Sequence, residues 1–305
     1  MYTQFFGLRV KPFNLTPNPQ FLYLSKTHRE VYAHLLYGVQ NRVGFIEVTG
    51  EVGTGKTTIL RTFLGELDSE KYRVALIFNP RLTVIELLRS INREFGLHGQ
   101  EETLSQLVDD LNRFLLEENH AGRIPVLVID EAQNLSGDVL EQIRLLSNLE
   151  TETEKLIQIV LAGQPELTQV LSRPELRQLN QRVAVRYHLA PLGTQDCREY
   201  ICHRLKVAGR PDGELFSAAA TRRVHRLTGG VPRLINLLCD RALLIGYAHG
   251  IGRITPREVS QASRELAQQT PGRRQQRFWW LTAVALGCAG LLAWFLNNGL
   301  AGIFQ

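Results

Sequence analysis

Cysteine is scarce and poorly spaced for chemistry. The chain's four cysteines, Cys197, Cys202, Cys239 and Cys288, show neither metal-ligand nor disulfide-framework spacing. That excludes a zinc module and a stapled secreted domain, and reads as reduced, buried thiols in a cytosolic setting. A sustained apolar core is also missing from Met1 to Leu22, which is broken by Arg9, Lys11, Pro12, Pro17 and Pro19, so no secretory leader is expected. No recognisable DNA- or RNA-binding signature is present. After Arg277 there is no Asp, Glu, Lys or Arg at all. Disorder is not indicated either, because 44% of the 305 residues are apolar, enough for cores in about two domains.

What is present is a phosphate-binding loop. Gly50-Glu51-Val52-Gly53-Thr54-Gly55-Lys56-Thr57 matches G-x-x-x-x-G-K-[ST]. Glycines 50, 53 and 55 let the backbone turn tightly and approach an anion without a Cβ in the way, so successive N–H groups face inward as an anion nest. Lys56 brings a mobile positive charge to the β- and γ-phosphates of ATP, and the Thr57 hydroxyl is placed to ligate Mg²⁺. The surroundings agree with the pattern. Gly44 to Thr49 reads as a buried strand, while Ile59, Leu60, Phe63, Leu64 and Leu67 have helical spacing, so the phosphates would meet a helix N-terminus at Lys56, Thr57 and Thr58.

Val126 to Ile129 is an unbroken apolar run, as in a strand buried on both faces of a parallel sheet. It ends in Asp130-Glu131, at the strand end where open α/β sheets bind ligands. Asp130 is expected to hold Mg²⁺ through a water, and Glu131 to orient and polarise the water that attacks the γ-phosphate. An Asp-Glu pair is common on surfaces, and its weight comes from the glycine loop upstream.

Strands are predicted at 44–49, 72–78, 126–131, 156–162 and 183–189, with helices near 57–67, 84–95, 104–118, 138–149 and 166–171. Alternation of this kind argues for an α/β fold with a parallel sheet and right-handed crossovers. After Pro191 the pattern becomes helical, at about 194–208, 213–227, 233–249 and 256–267, punctuated by Gly229-Gly230 and Pro232, which reads as a compact helical lid. The expected organisation is an ATPase core over 1–190, the lid over 191–270, a basic linker over 271–277, a transmembrane helix over 278–296 and a short periplasmic tail over 297–305.

The membrane expectation rests on Phe278 to Leu296, 19 residues without a charge, with Trp279, Trp280, Trp294 and Phe295 at its ends. Arg273, Arg274 and Arg277 precede it, which places the ATPase on the cytoplasmic side of a bacterial inner membrane. Charge is uneven: residues 171–277 hold 19 basic and 8 acidic side chains, against 16 and 22 over residues 1–170. Such asymmetry marks a nucleic-acid surface, anionic lipid contact or phosphate-sensing arginines spread over a helical domain, and without a binding signature a nucleic-acid partner is not expected.

Phe5-Phe6-Gly7-Leu8, Pro12-Phe13, the phosphate loop, Leu161-Ala162-Gly163-Gln164-Pro165, Asn180-Gln181-Arg182 and Gly229-Gly230-Val231-Pro232-Arg233 together resemble the AAA+ ATPases of the general secretion pathway protein A (ExeA) type. The resemblance covers about residues 1–270. It implies a RecA-like core, a helical lid, nucleotide-dependent homo-oligomers and work on an envelope secretion or pilus machine. It also implies roles: Gln164 as a sensor of the γ-phosphate and attacking water, Arg233 as a second sensor on the lid, and Arg182, with Arg177 second, as an arginine reaching a neighbouring subunit's ATP. Proteins of this type continue into a periplasmic peptidoglycan-binding region, whereas nine residues from Asn297 to Gln305 hold no folded domain. Two other readings are a DNA-binding ATPase regulator of the transposition-helper kind, against which the apolar segment argues, and an ATP-gated scaffold with little turnover.

Overall fold

The computed structural model describes residues 1–16, 18–78, 81–97, 103–151 and 154–268. In chain order the elements are α1 (Tyr2–Phe5), α2 (Lys26–Gln40), β1 (Phe45–Gly50), α3 (Lys56–Glu66), β2 (Tyr72–Ile77), α4 (Val84–Glu94), α5 (Leu104–His120), β3 (Ile124–Ile129), α6 (Gly137–Leu146), β4 (Gln158–Gly163), α7 (Glu166–Leu171), α8 (Arg177–Arg182), β5 (Val183–Leu189), α9 (Thr194–Val207), α10 (Ala218–Thr228), α11 (Pro232–Ala248) and α12 (Pro256–Gln268). The strands form one parallel sheet in the order β2-β3-β4-β1-β5.

Alternation along each strand sends side chains to both faces. Leu127 and Ile129 of β3 join α4, α5, α6, α7 and α8 in one core, while Val126 and Val128 join α2 and α3 in the other. This two-sided burial explains why β3 reads as a continuous apolar run. Helix starts are set locally. Thr83 with Glu86 and Thr103 with Gln106 form reciprocal capping boxes on α4 and α5, and losing such a cap costs about 1 kcal/mol.

A third cluster lies outside the sheet. Cys197, Ile201, Leu205, Val224, Ile235, Leu243 and Val259 of the four C-terminal helices, with Leu192 just before them, pack with Tyr2, Phe6, Leu8, Phe13 and Phe21 from the other end of the chain. The buried Arg204 side chain fixes that N-terminal segment, its Nε donating to the Pro12 carbonyl at 2.6 Å. The first residues therefore pack with the C-terminal helices and not on the sheet, although the sequence reading draws the core from residue 1. Burial pushes the Cys197 thiol up to about 12 and that of Cys239 well above its ordinary value, so both are inert packing groups.

The expected localisation is corrected here. Among the described residues, no helix is long and apolar enough to cross a membrane. The 278–296 segment on which the inner-membrane expectation rested, with the flanking 271–277 and 297–305, lies outside the described residues. The single-pass assignment therefore has no structural support.

Candidate functional site

Parallel registry places the site. Gly50 at the end of β1 pairs with Leu189, Thr49 pairs with Gly163, and Ile129 pairs with Leu161, so the carboxyl ends of β1, β3, β4 and β5 share one edge of the sheet. The loop 50–57, Asp130-Glu131 and Gln164 all emerge there.

The glycines are needed where they stand. Gly53 and Gly55 have φ of +82° and +105°, a region that L side chains rarely adopt. Gly55 is also the residue that caps α3, so the loop's last amides precede a helix N-terminus. A Cβ on Gly53 would come 2.7 Å from Arg233 Cβ. Arg233, the second residue of α11, donates its backbone N–H to the Gly53 carbonyl at 3.3 Å, while its side chain is exposed. The loop is thereby joined to the C-terminal helices.

Lys56 is 5% exposed, and its Nζ donates to the carbonyls of Gly50 at 2.7 Å and Glu51 at 3.1 Å. Burial lowers its pKa, opposed by the carboxylates of Glu131, Asp130, Glu51 and Glu166. Among the described residues it makes no ion pair. A buried ammonium held only by neutral carbonyls is a charge that a phosphate would compensate.

Thr57 Oγ1 lies 2.5 Å from Asp130 Oδ2, and Asp130 Oδ1 accepts the Glu131 backbone N–H at 2.8 Å. A hydroxyl and a buried carboxylate meeting at this edge form an all-oxygen donor pair of the type Mg²⁺ takes, with phosphates completing the shell. Among the described residues no cluster of three or more His, Cys, Asp or Glu is suited to a metal.

Glu131 has φ of +55°, one of two non-glycine residues with positive φ among those described. Holding it there costs about 1–3 kcal/mol and is characteristic of functional sites. Its Oε2 accepts from Gln133 Nε2 at 2.6 Å and Gln164 Nε2 at 3.3 Å. Gln133 Oε1 in turn accepts the Gln164 backbone N–H at 3.0 Å, which fixes the orientation of the Gln133 amide. Gly163 makes room for it, since a Cβ there would meet Gln133 Oε1 at 2.5 Å. The sequence reading did not single out Gln133. Its signal was an amide two residues beyond the acid pair.

Arg182 lies elsewhere. It precedes Val183, which pairs with Phe45, whereas the loop begins at Gly50, paired with Leu189. The intervening strand spans about 20 Å at 3.3 Å per residue, so Arg182 is at the opposite end of β5 from its own chain's loop. There it donates to Ser147 Oγ at 2.6 Å. Arg177, at the start of the same short helix, is exposed. Thr58, Glu51 and Val52 are exposed around the loop.

Comparison with known proteins gives a consistent fold. The family model described as AAA domain matches residues 40–171. General secretion pathway protein A of Aeromonas hydrophila is 50% identical over 268 residues, 88% of this chain and 49% of that protein. The chain thus spans about half the length of the curated relative. Among solved structures, the Drosophila ORC bound to DNA superposes with a TM-score of 0.65 at 20% identity, covering 95% of this chain and 73% of that one. The Aeropyrum pernix ORC2 protein in its ADPNP-ADP complexes gives 0.62 at 15% identity, covering 84% and 71%. At these identities both show the fold alone.

Proposed function

We propose that this chain, similar to general secretion pathway protein A over 268 residues, is an AAA+ ATPase of that type, binding Mg-ATP at the loop 50–57 and hydrolysing it to drive assembly or regulation of an envelope machine, in secretion, pilus assembly or exopolysaccharide export. The observation carrying the nucleotide reading is the contact of Thr57 Oγ1 with Asp130 Oδ2 beside a buried, ion-pair-free Lys56.

Each residue has a task in this reading. The loop amides and Lys56 bind the β- and γ-phosphates. Thr57 and Asp130 would hold Mg²⁺, which neutralises phosphate charge when bound. Glu131 orients and polarises the attacking water, and Gln164 senses it. The four C-terminal helices serve as the lid, and Arg233 at the head of α11 reports nucleotide state to it through Gly53. Purified protein should release phosphate from ATP only with Mg²⁺ present. Crosslinking of an ATP-trapped protein in cells tests the machine: recovery of envelope secretion components supports the proposal. ATP-dependent DNA retention that falls steeply with salt would replace it with the DNA-regulator reading.

Gln133 acts here as a positioning residue for Glu131. Gln133→Ala removes a charge-assisted hydrogen bond worth about 1.5–3 kcal/mol, so kcat should fall by about tenfold to a hundredfold while the Kd for ADP stays within about twofold. An equal loss in both would assign Gln133 to binding.

Arg182 is proposed to act on a neighbouring subunit's nucleotide, since its own loop is at the far end of the strand. Arg182→Ala should cut oligomer turnover about tenfold to a hundredfold, less than the full effect of a trans arginine, because Arg177 lies on the same helix. Mixing it with Lys56→Ala chains, which keep Arg182 but lack a working site, should restore turnover. No recovery on mixing would remove the trans assignment.

A further inference from the structure

The phosphate loop is held from one further side. His28, in the first turn of α2, is 6% exposed, and its Nε2 lies 3.2 Å from the Thr54 carbonyl oxygen. A carbonyl only accepts, so Nε2 carries the proton. Nδ1 lies 2.7 Å from Ser25 Oγ, the same oxygen that accepts the His28 backbone N–H at 3.3 Å. The imidazole thus closes on its N-cap serine much as Glu or Gln does in a capping box. Burial lowers the ring's pKa, which keeps it neutral with Nδ1 accepting from the serine hydroxyl. The ring also packs on Gly55, where a Cβ would fall 2.9 Å from Nε2.

Peptide geometry gives this contact a consequence. The 54–55 peptide bond is trans, so its N–H points opposite to its C=O. With the Thr54 carbonyl bound to His28, the Gly55 N–H is aimed away from the histidine, and among the described residues it makes no hydrogen bond. The chain before His28 is itself anchored on α9. The Tyr23 ring packs against Tyr200 and His203 at 5.9 and 5.7 Å, and its hydroxyl donates to Glu199 at 2.9 Å. The histidine therefore sits on a segment fixed at one end to the C-terminal helices.

Resting on the nucleotide reading above, we infer that His28 is a positioning residue for phosphate binding: its Nε2–H holds the Thr54 carbonyl so that the Gly55 amide is preset toward a phosphate oxygen. His28 touches no reacting atom in this assignment. Its effect belongs in nucleotide affinity and not in the chemical step.

The test compares His28→Gln, whose terminal amide keeps a donor near the Nε2 position, with His28→Leu, of similar bulk but no donor. Mg-ADP binding is measured by titration calorimetry, and kcat at saturating ATP. The leucine variant should bind Mg-ADP about tenfold more weakly, the loss expected for one buried hydrogen bond, with kcat changed less than about threefold. The glutamine variant should bind within about threefold of wild type. Unchanged affinity in His28→Leu, or equal weakening in both variants, overturns the inference. If His28→Leu does not fold, His28→Asn, whose shorter amide falls short of Thr54, should show the same loss, and wild-type affinity there overturns it equally. A wild-type protein that binds no Mg-ADP removes the nucleotide reading itself, whereas wild-type binding with an unaffected leucine variant removes only the role of His28.

Discussion

Glu131→Gln protein is expected to bind ATP with near wild-type affinity and to turn it over about 10³-fold more slowly, within the range that a positioned general base contributes. The substitution removes charge and basicity but little shape. The glutamine Oε1 can still accept from the amides of Gln133 and Gln164, which now meet at Glu131 Oε2. The hydrogen bonds of Lys56 and the Thr57 to Asp130 contact do not use the Glu131 side chain, which acts on Lys56 only through its charge. Stability should therefore change by less than about 0.5 kcal/mol. Single-turnover phosphate release together with nucleotide retention on a filter checks both halves. Normal turnover would remove Glu131 as the residue that activates water.

Lys56→Ala should fail at the earlier step. Two charge-assisted hydrogen bonds to phosphate oxygens, at about 1.5–3 kcal/mol each, amount to about 10³-fold in Kd. The nucleotide-free protein is affected by two opposing terms. The carbonyls of Gly50 and Glu51 lose their donor, at about 1–3 kcal/mol per buried group left unpaired. Against this, the cost of burying the ammonium, visible in its lowered pKa, disappears. The melting temperature without nucleotide should shift by only a few degrees, and the upward shift that ATP gives wild type should vanish. Retained ligand-induced stabilisation would contradict the loop assignment.

Much of this site was legible because its parts are local. The glycine loop is contiguous, and β3 announces itself by being buried on both faces. The helix read at 213–227 begins instead at Ala218, because Phe216 bridges to Ile254 in an extended segment and Ser217 caps the helix. That pairing spans 38 residues and has no local signature. No element is read from the sequence at 26–40, yet Val31, Leu35 and Val39 of α2 are fully buried against the sheet. Strand order was not legible either, since parallel crossovers leave the neighbours of β1 undetermined until β4 and β5 flank it. The amide clamp on Glu131 joins residues 33 positions apart, and His28 meets Thr54 across 26. Such contacts arise from packing of elements and have no sequence pattern of their own. The localisation drawn from Phe278 to Leu296 shows the opposite limit: an apolar run scores by composition alone, and no described helix supports it.

The central claim is that one pocket, built from residues 50–57 with Asp130 and Glu131, both holds and cleaves ATP. Its most direct measurement is the amount of radiolabelled nucleotide bound at equilibrium with Mg²⁺, and its identity as ATP or ADP, in wild type, Lys56→Ala and Glu131→Gln side by side. The account predicts ADP on wild type, uncleaved ATP on Glu131→Gln and neither on Lys56→Ala. Equal binding of ATP by all three proteins, with equal conversion to ADP, would contradict it.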